Sequence, residues 1–200
     1  DESLRQVLAV NLPAAAGLAA LGEPTIRMIF QHGRFTPADT IATAHALAAY
    51  SVGLGAYSLV KVLAPVFYAM ENARIPVISS VLSVALNLGF NLLLVHRLGY
   101  WGLALGTSAT AVVNAVFLLV AFRSGMKKRG ESFSLMSLAR FTLGISGISV
   151  VMGGACRFLS LKLELLLPDH FIFHLADVGI CVGFGVLLVV FLGKLFGIRE

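Results

Sequence analysis

Residues 76–95 read PVISSVLSVALNLGFNLLLV, a run of 20 residues that contains no aspartate, glutamate, lysine or arginine. Wound into an α-helix, such a run reaches about 30 Å, because each residue adds about 1.5 Å. That length matches the hydrocarbon core of a bilayer, which a helix of about 20 apolar residues crosses. The stretch therefore predicts a transmembrane helix.

Further apolar stretches of comparable length lie on both sides of this run. We place spans at roughly 4–22, 38–69, 76–95, 100–122, 137–160 and 171–196. The composition agrees, since 58% of the residues are hydrophobic, only 12% are charged and the mean hydropathy is +0.91. A chain of 200 residues cannot hide so much apolar surface in one core surrounded by water. The sequence predicts an all-α integral membrane protein with six transmembrane helices.

Turn-forming residues separate the first two spans. The pair Glu23-Pro24 ends the first span, and residues 25–31 have the composition of a short helix that lies along the headgroups without crossing. Before the second span, Thr36 is placed to cap the helix, and Pro37 falls in its first turn, where the missing N–H of proline is tolerated.

Six spans put both ends of the chain on one side of the membrane, and the positive charges indicate which side. With cytoplasmic ends, the inner segments carry nine lysines and arginines and the outer segments carry five. Such an excess is typical of cytoplasmic loops, so we predict a cytoplasmic C-terminus. Because the first apolar run begins at Leu4 with no leader-like segment before it, we expect the chain to be the back end of a longer protein.

Lys61 is the charged residue that lies deepest in a predicted span. A charge near the bilayer centre costs roughly 2.5–3.5 kcal/mol on insertion scales. Pro65 leaves the Lys61 carbonyl without a helical donor, Gly53 and Gly55 lie in the same span, and Pro13 predicts a kink in the first helix. We predict a bent helix facing a wet cavity, with Lys61 available to an anionic group. The alternative is a lysine that stretches to the inner headgroups or pairs with a neighbouring helix.

Small and polar residues form one row on each of the third and fourth spans. The spacing of three or four residues places each row on one face of its helix. Such rows favour close helix packing with hydrogen bonds across the seam, and the alternative is the lining of a polar pathway. The rows are Ser80, Ser83, Asn87 and Asn91, and Gly102, Gly106, Thr110 and Asn114.

No constellation for catalysis is present in the sequence. It contains no nucleophile beside a base, no phosphate loop, no dinucleotide fingerprint and no zinc spacing. Cys156 and Cys181 lie in apolar runs and are expected to be buried and structural, while Asp177 and His174 are expected near the outer interface, where a proton relay is the less favoured interpretation. From the missing motifs we predict no enzyme, no metal and no cofactor. The net charge of +5 is small and sits in loops, which fits orientation signals better than nucleic-acid binding, so we also predict no nucleic-acid partner.

Several runs are distinctive enough to compare with known families. They are NLPAAAGL at 11–18, FQHGRFT at 30–36, AYSVGL at 49–54, VKVLAPVFYA at 60–69 and GLALGTS at 102–108. These runs resemble the MurJ (also called MviN) family of lipid II flippases. The resemblance is strong over residues 1–125 and rests on hydrophobic pattern and helix count beyond them.

The resemblance implies a larger architecture. Family members have about fourteen spans, in two six-helix lobes of the multidrug/oligosaccharidyl-lipid/polysaccharide exporter type followed by two extra helices. Residues 1–125 would be the last four helices of the second lobe, and residues 126–200 a basic linker and a two-helix C-terminal extension. The chain's partners would then be the membrane lipid and the missing N-terminal lobe.

The resemblance also implies a function in peptidoglycan synthesis, cell wall biogenesis and cell shape. The family moves lipid II, a polyprenyl-pyrophosphate-linked glycopeptide precursor, from the inner to the outer leaflet of the bacterial cytoplasmic membrane by alternating access. The extra helices, here 137–160 and 171–196, would form an apolar groove for the prenyl tail. The arginines credited with holding the head group lie in earlier helices, so Lys61 is our candidate on this chain, with Asn87, Asn91 and Asn114 along the substrate pathway.

Two other functions stay open. A polysaccharide-lipid flippase or a drug/ion antiporter of the same superfamily would generally lack the terminal helix pair. A non-transporting membrane scaffold would have straight helices and no water-filled cavity, and Pro13, Pro65, Gly53 and Gly55 argue against straight helices.

Overall fold

The computed structural model describes residues 2–31, 33–130, 133–166 and 171–195, and over these ranges every regular element is an α-helix. The elements are α1 Glu2–Ala20, α2 Gly22–Phe30, α3 Pro37–Ala69, α4 Arg74–Leu98, α5 Tyr100–Lys128, α6 Leu135–Leu166 and α7 Phe171–Leu195. The predicted all-α class is confirmed. Since α5 continues to Lys128, two lysines of the predicted basic linker belong to the last helical turn.

Four helices, α3 to α6, are long and apolar enough to cross a membrane. The pair α1 and α2 passes the same test together, which gives up to five candidate spans, although these two helices meet at an angle of 66°. In α7 the apolar part with described side chains, Leu175–Phe191, is shorter than a span. The count of six spans and the fourteen-helix bundle therefore stay predictions.

The break between α1 and α2 lies slightly earlier than the sequence indicates. Helix α1 ends at Ala20, Leu21 leaves the helical conformation with φ −102° and ψ 11°, and α2 begins at Gly22. Pro24 is thus the third residue of α2, a position whose N–H has no partner within a helix in any case. A short helix over most of 25–31 is confirmed, and its position along the headgroups stays a prediction.

The start of α3 follows the sequence prediction closely. The Asp39 N–H donates to Thr36 Oγ1 at 3.3 Å, and the Thr36 N–H donates to Asp39 Oδ2 at 2.9 Å. This reciprocal pair is a capping box, and Pro37 occupies the first turn. The predicted N-cap is confirmed.

The helices are arranged around α3, which packs against α5 on one side and against α1 and α2 on the other. Helix α4 lies outside α5, while α6 packs on α1 and α7 on α6. Leu8, Leu63, Phe67 and Leu118 form a buried core that joins α1, α3 and α5. The two candidate sites lie on opposite sides of α3, at its exposed face and at the seam between α1, α6 and α7.

Both glycines of α3 lie at close contacts with neighbouring helices, Gly53 with backbone and Gly55 with a side chain. A Cβ atom at Gly53 would lie 2.8 Å from Cα of Ser108 on α5, and the Ser108 hydroxyl donates to the Ala49 carbonyl at 2.6 Å. A Cβ at Gly55 would lie 2.7 Å from Leu12 Cδ2 on α1. Helix α3 runs unbroken through Pro65, as α1 does through Pro13, so the kinks stay predictions.

Gly53→Ala is expected to destabilise the protein by about 1–3 kcal/mol, because an added methyl group at a tight helix seam forces backbone movement. The matched control is Gly89→Ala in α4, where nothing lies within 4 Å of the added atom and alanine favours the helix by up to about 1 kcal/mol. Thermal unfolding in detergent should show a lower midpoint for the first variant only. Equal midpoints would contradict the close approach of α3 and α5.

Candidate functional site

Lys61 lies on the exposed face of α3, eight residues before the helix ends at Ala69. Its ammonium sits 5.1 Å from the centroid of the Tyr57 ring, one turn earlier. Cation–π contact of this kind contributes about 0.5–1 kcal/mol at exposed sites and orients the ammonium without neutralising it. Among the described residues no carboxylate lies within ion-pair distance of Lys61.

Three tyrosines share this face of α3 with Lys61. Tyr50, Tyr57 and Tyr68 are each about half exposed, and their spacing of seven, four and seven residues along Tyr50, Tyr57, Lys61 and Tyr68 keeps them on one side of the helix. The opposite side, with Leu63 and Phe67, is buried. We call Tyr50, Tyr57, Lys61 and Tyr68 the lysine–tyrosine face. It offers one positive charge and several hydroxyl groups, which suits an anionic or sugar-bearing group.

The predicted asparagines meet at the seam between α4 and α5. The Asn91 amide donates to Asn87 Oδ1 at 2.9 Å, and the Asn87 amide donates to Thr107 Oγ1 at 3.3 Å. A Cβ at Gly106 would lie 2.7 Å from Asn91 Oδ1, so the missing side chain makes room for the amide. Farther along the seam, the Ser79 hydroxyl donates to Asn114. The sequence placed Asn114 on this stripe and missed Ser79.

These contacts are those of helix packing, the interpretation that the sequence favoured. Two serines of the α4 row do not bond across the seam: Ser80 donates to the Pro76 carbonyl and Ser83 to the Ser79 carbonyl of their own helix. Ser80 is exposed, whereas Ser79, which the predicted row did not include, is buried. A role of Asn87, Asn91 and Asn114 in a substrate pathway stays a prediction. Each amide bonds to a neighbour across or along the seam, but Asn91 Oδ1 is buried and accepts no hydrogen bond from the described residues.

An apolar groove opens between α1, α6 and α7. Its volume is about 460 Å³, which is within the range of small-molecule sites. Helix α1 contributes small residues on either side of Pro13, and α7 contributes a run of valines. The lining is Ala9, Val10, Pro13, Ala14, Gly17, Leu18, Leu21, Thr25, Met152, Cys156, Cys181, Val182, Gly185, Val186, Val189 and Val190. No charged side chain belongs to this lining, so the groove suits a hydrocarbon chain.

A polar cluster lies at the predicted outer end of α6. Glu23 of α2 accepts from Arg27 at 3.2 Å and from Arg157 of α6 at 2.7 Å. Arg157 and Glu23 also line a small cavity of about 200 Å³, together with His45. The sequence could not indicate this cluster, because Glu23 and Arg157 are separated by 134 positions. The Glu23–Arg157 ion pair joins α2 to α6, one of the helices that form the groove.

Asp177 is buried between α6 and α7, with 2% of its surface exposed. It accepts from the Ser160 hydroxyl at 2.9 Å and from the Cys181 thiol at 3.4 Å. Cys156 and Cys181 are free and buried, in agreement with the expected structural role. The side chain of His174 lies outside the described residues. Within the described ranges no group of three His, Cys, Asp or Glu side chains is placed to hold a metal.

Comparison with known proteins finds a family model and relatives that share one description. A family model described as "Lipid II flippase MurJ" matches residues 1–175. A "Probable lipid II flippase MurJ" of Rickettsia prowazekii (strain Madrid E) is 30% identical over 186 residues, which are 93% of this chain and 36% of that protein. A protein of the same description from Rhizobium tropici is 35% identical over 167 residues, 84% of this chain and 31% of the relative. The chain spans about a third of the length of these curated relatives.

Proposed function

The chain belongs to the lipid II flippase MurJ family, and on that basis we propose that the whole protein moves the undecaprenyl-pyrophosphate-linked peptidoglycan precursor from the inner to the outer leaflet by alternating access. The protein would be a multi-pass protein of the bacterial cytoplasmic membrane with its C-terminus in the cytoplasm. It would act as a transporter and not as an enzyme. The missing N-terminal lobe would supply the other half of the transport cavity.

The apolar groove between α1, α6 and α7 is the observation that carries this proposal. A lipid-linked precursor has a long hydrocarbon tail that has no reason to leave an apolar environment, whereas its pyrophosphate and sugars cannot cross one unaided. A flippase therefore needs a path for the head group and a separate place that keeps the tail aligned. The groove provides such a place, because its lining is uncharged and two of its walls are the C-terminal helices.

The lysine–tyrosine face supports the head-group half of the proposal. An ammonium held over Tyr57, with no carboxylate partner among the described residues, is available to a phosphate. Tyrosine hydroxyls on the same face would bond to sugar hydroxyls and rings would stack on sugar rings. This face lies away from the groove, so the tail would lie in the groove while the head group enters a cavity shared with the missing lobe.

The presence of α6 and α7 distinguishes this proposal from its nearest alternatives. Polysaccharide-lipid flippases and drug/ion antiporters of the same superfamily generally lack the terminal pair that forms two walls of the groove. A non-transporting scaffold would have no use for an open apolar groove of this size.

The test is transport by the whole protein in proteoliposomes. Fluorescent precursor placed in the inner leaflet should become accessible to an impermeant quencher added outside, and heat-treated protein should give no such signal. The same assay with a polyprenyl-linked polysaccharide and with an organic cation discriminates the alternatives. Movement of either of these, without movement of the precursor, would contradict the proposal.

A further inference from the structure

The small cavity beside Glu23 is enclosed by α1, α2, α3 and α6 at the predicted outer end of the bundle. Its volume is about 200 Å³. Four alanines and Ile41 form the apolar part of its wall, and the polar part consists of Glu23, His45 and Arg157. A space of this size suits a small polar group, since sites for drug-sized ligands measure about 300–1,000 Å³.

The cavity lies where the chain changes direction. Helix α1 ends at Ala20, and α2 continues from it at an angle of 66°. Trp101 of α5 lies beside the cavity, with its ring centroid 4.7 Å from that of His45. Tryptophan is enriched at the level of the lipid headgroups, which is also the predicted position of α2. The anions that are abundant at this level are phosphates.

Positive charge exceeds negative charge at the cavity. Glu23 accepts from Arg157 at 2.7 Å through Oε2 and from Arg27 at 3.2 Å through Oε1, so one carboxylate lies between two guanidinium groups. These three charges sum to +1. His45 in its neutral form adds one N–H donor. Among the described residues no second carboxylate belongs to the wall.

Arg157 has hydrogen-bonding capacity that its ion pair does not use. Its Nη2 donates to Glu23, whereas its Nη1 is buried and has no hydrogen-bond partner among the described residues. A buried donor without an acceptor is costly. About a third of the side chain is exposed, so the guanidinium is partly open to the cavity. Guanidinium groups bind phosphate oxygens through parallel N–H donors, and an anionic oxygen in this cavity would offset the cost.

We propose that Arg157 and His45 form a binding site for a phosphate group where α2, α3 and α6 meet. The Arg157 guanidinium donates to the phosphate oxygens from α6, His45 donates from α3, and Glu23 holds the guanidinium in place. Two kinds of molecule carry such a group at the headgroup level: a phospholipid through its phosphodiester, and the lipid-linked precursor through its pyrophosphate. Only the second source rests on the proposed function, in which the site would receive the head group after it has crossed.

Binding to the whole protein, purified in a detergent that contains no phosphorus, tests the site. A fluorinated tryptophan introduced at Trp101 alone gives a local fluorine NMR signal, because this ring contacts His45. Lys61, the other candidate for phosphate, lies about 24 Å farther along α3 by helical rise. Titration with farnesyl pyrophosphate and with short-chain phosphatidylglycerol distinguishes the two sources. At least one of these probes should shift the signal, and farnesol, which has no phosphate, should not.

Arg157→Gln should weaken that binding by at least about tenfold, the effect of losing one charged hydrogen bond. Ala48→Leu should abolish it without removing a charge, because the larger side chain fills the cavity that Ala48 lines. Glu23→Gln should strengthen it, since the anion would no longer meet a carboxylate and both arginines would be released. The matched control is Lys162→Gln, which removes a positive charge from α6 at an exposed position outside the cavity wall and should bind as the wild type does.

The opposite effects of Arg157→Gln and Glu23→Gln distinguish an anion site from an ion pair that only holds the helices together. Weaker binding in both variants would show that the pair is structural and would overturn the proposal. A signal that neither phosphate probe shifts, or that farnesol shifts equally, would overturn it as well. None of these measurements requires movement across the membrane, so the site can fail in a protein that transports the precursor and can stand in one that does not.

Discussion

Lys61→Ala in the whole protein should reduce precursor movement about 10- to 150-fold and fail to rescue a strain depleted of its own flippase. The range follows from the loss of one charged hydrogen bond, about 1.5–3 kcal/mol. The ammonium is exposed, oriented by Tyr57 and without a carboxylate partner in the described part of the chain. Its removal should therefore cost function and not stability. Lys61→Arg keeps the charge and should retain part of the activity.

Lys162 provides a matched control for this experiment. It is an exposed lysine whose ammonium lies 5.7 Å from the ring of Phe158, also one turn earlier. Lys162→Ala removes the same groups at a place away from the lysine–tyrosine face, so its activity and membrane insertion should match the wild type. Equal losses in both variants would indicate a general effect of surface charge, and normal rescue by Lys61→Ala would remove Lys61 from the pathway.

Local features of the sequence were sufficient to predict the helices and some of the residues at which they begin or end. Hydropathy placed α3 to α6, and the capping box at Thr36 was predictable because both partners lie within four residues. The same reasoning used Gly53 and Gly55 to predict a bent helix, since composition alone cannot distinguish flexibility from close packing. Only the position of Ser108 on α5 shows that Gly53 makes room for a neighbour.

The parts of the site that the sequence did not reveal depend on distant partners. Asp177 was expected near the interface because only its distance from the helix end was known, and its burial follows from the packing of α6 beside it. The Glu23–Arg157 pair joins residues far apart in the chain. The groove was expected from the family resemblance, but the contribution of α1 to its wall was not.

Val186→Trp should block the groove and reduce movement of the natural precursor about 5- to 150-fold. Val186 lines the groove from α7 and more than half of its surface is exposed, so an indole there would project into the space and not into the α6–α7 seam. Overlap with a bound chain costs about 1–3 kcal/mol, which corresponds to that range. Because the tail can stay in lipid, the expected effect is on alignment of the head group and not on partition into the membrane.

The tail length of the substrate makes this prediction specific. A precursor with a short prenyl chain that does not reach the groove should move at nearly the same rate in Val186→Trp and in the wild type. Leu187→Trp is the matched control, since Leu187 is the next residue of α7, is similarly exposed and does not line the groove. If both tryptophan variants slow the long and short precursors equally, the groove does not hold the tail. Only a tail-binding role makes the defect depend both on the position of the indole and on the length of the prenyl chain.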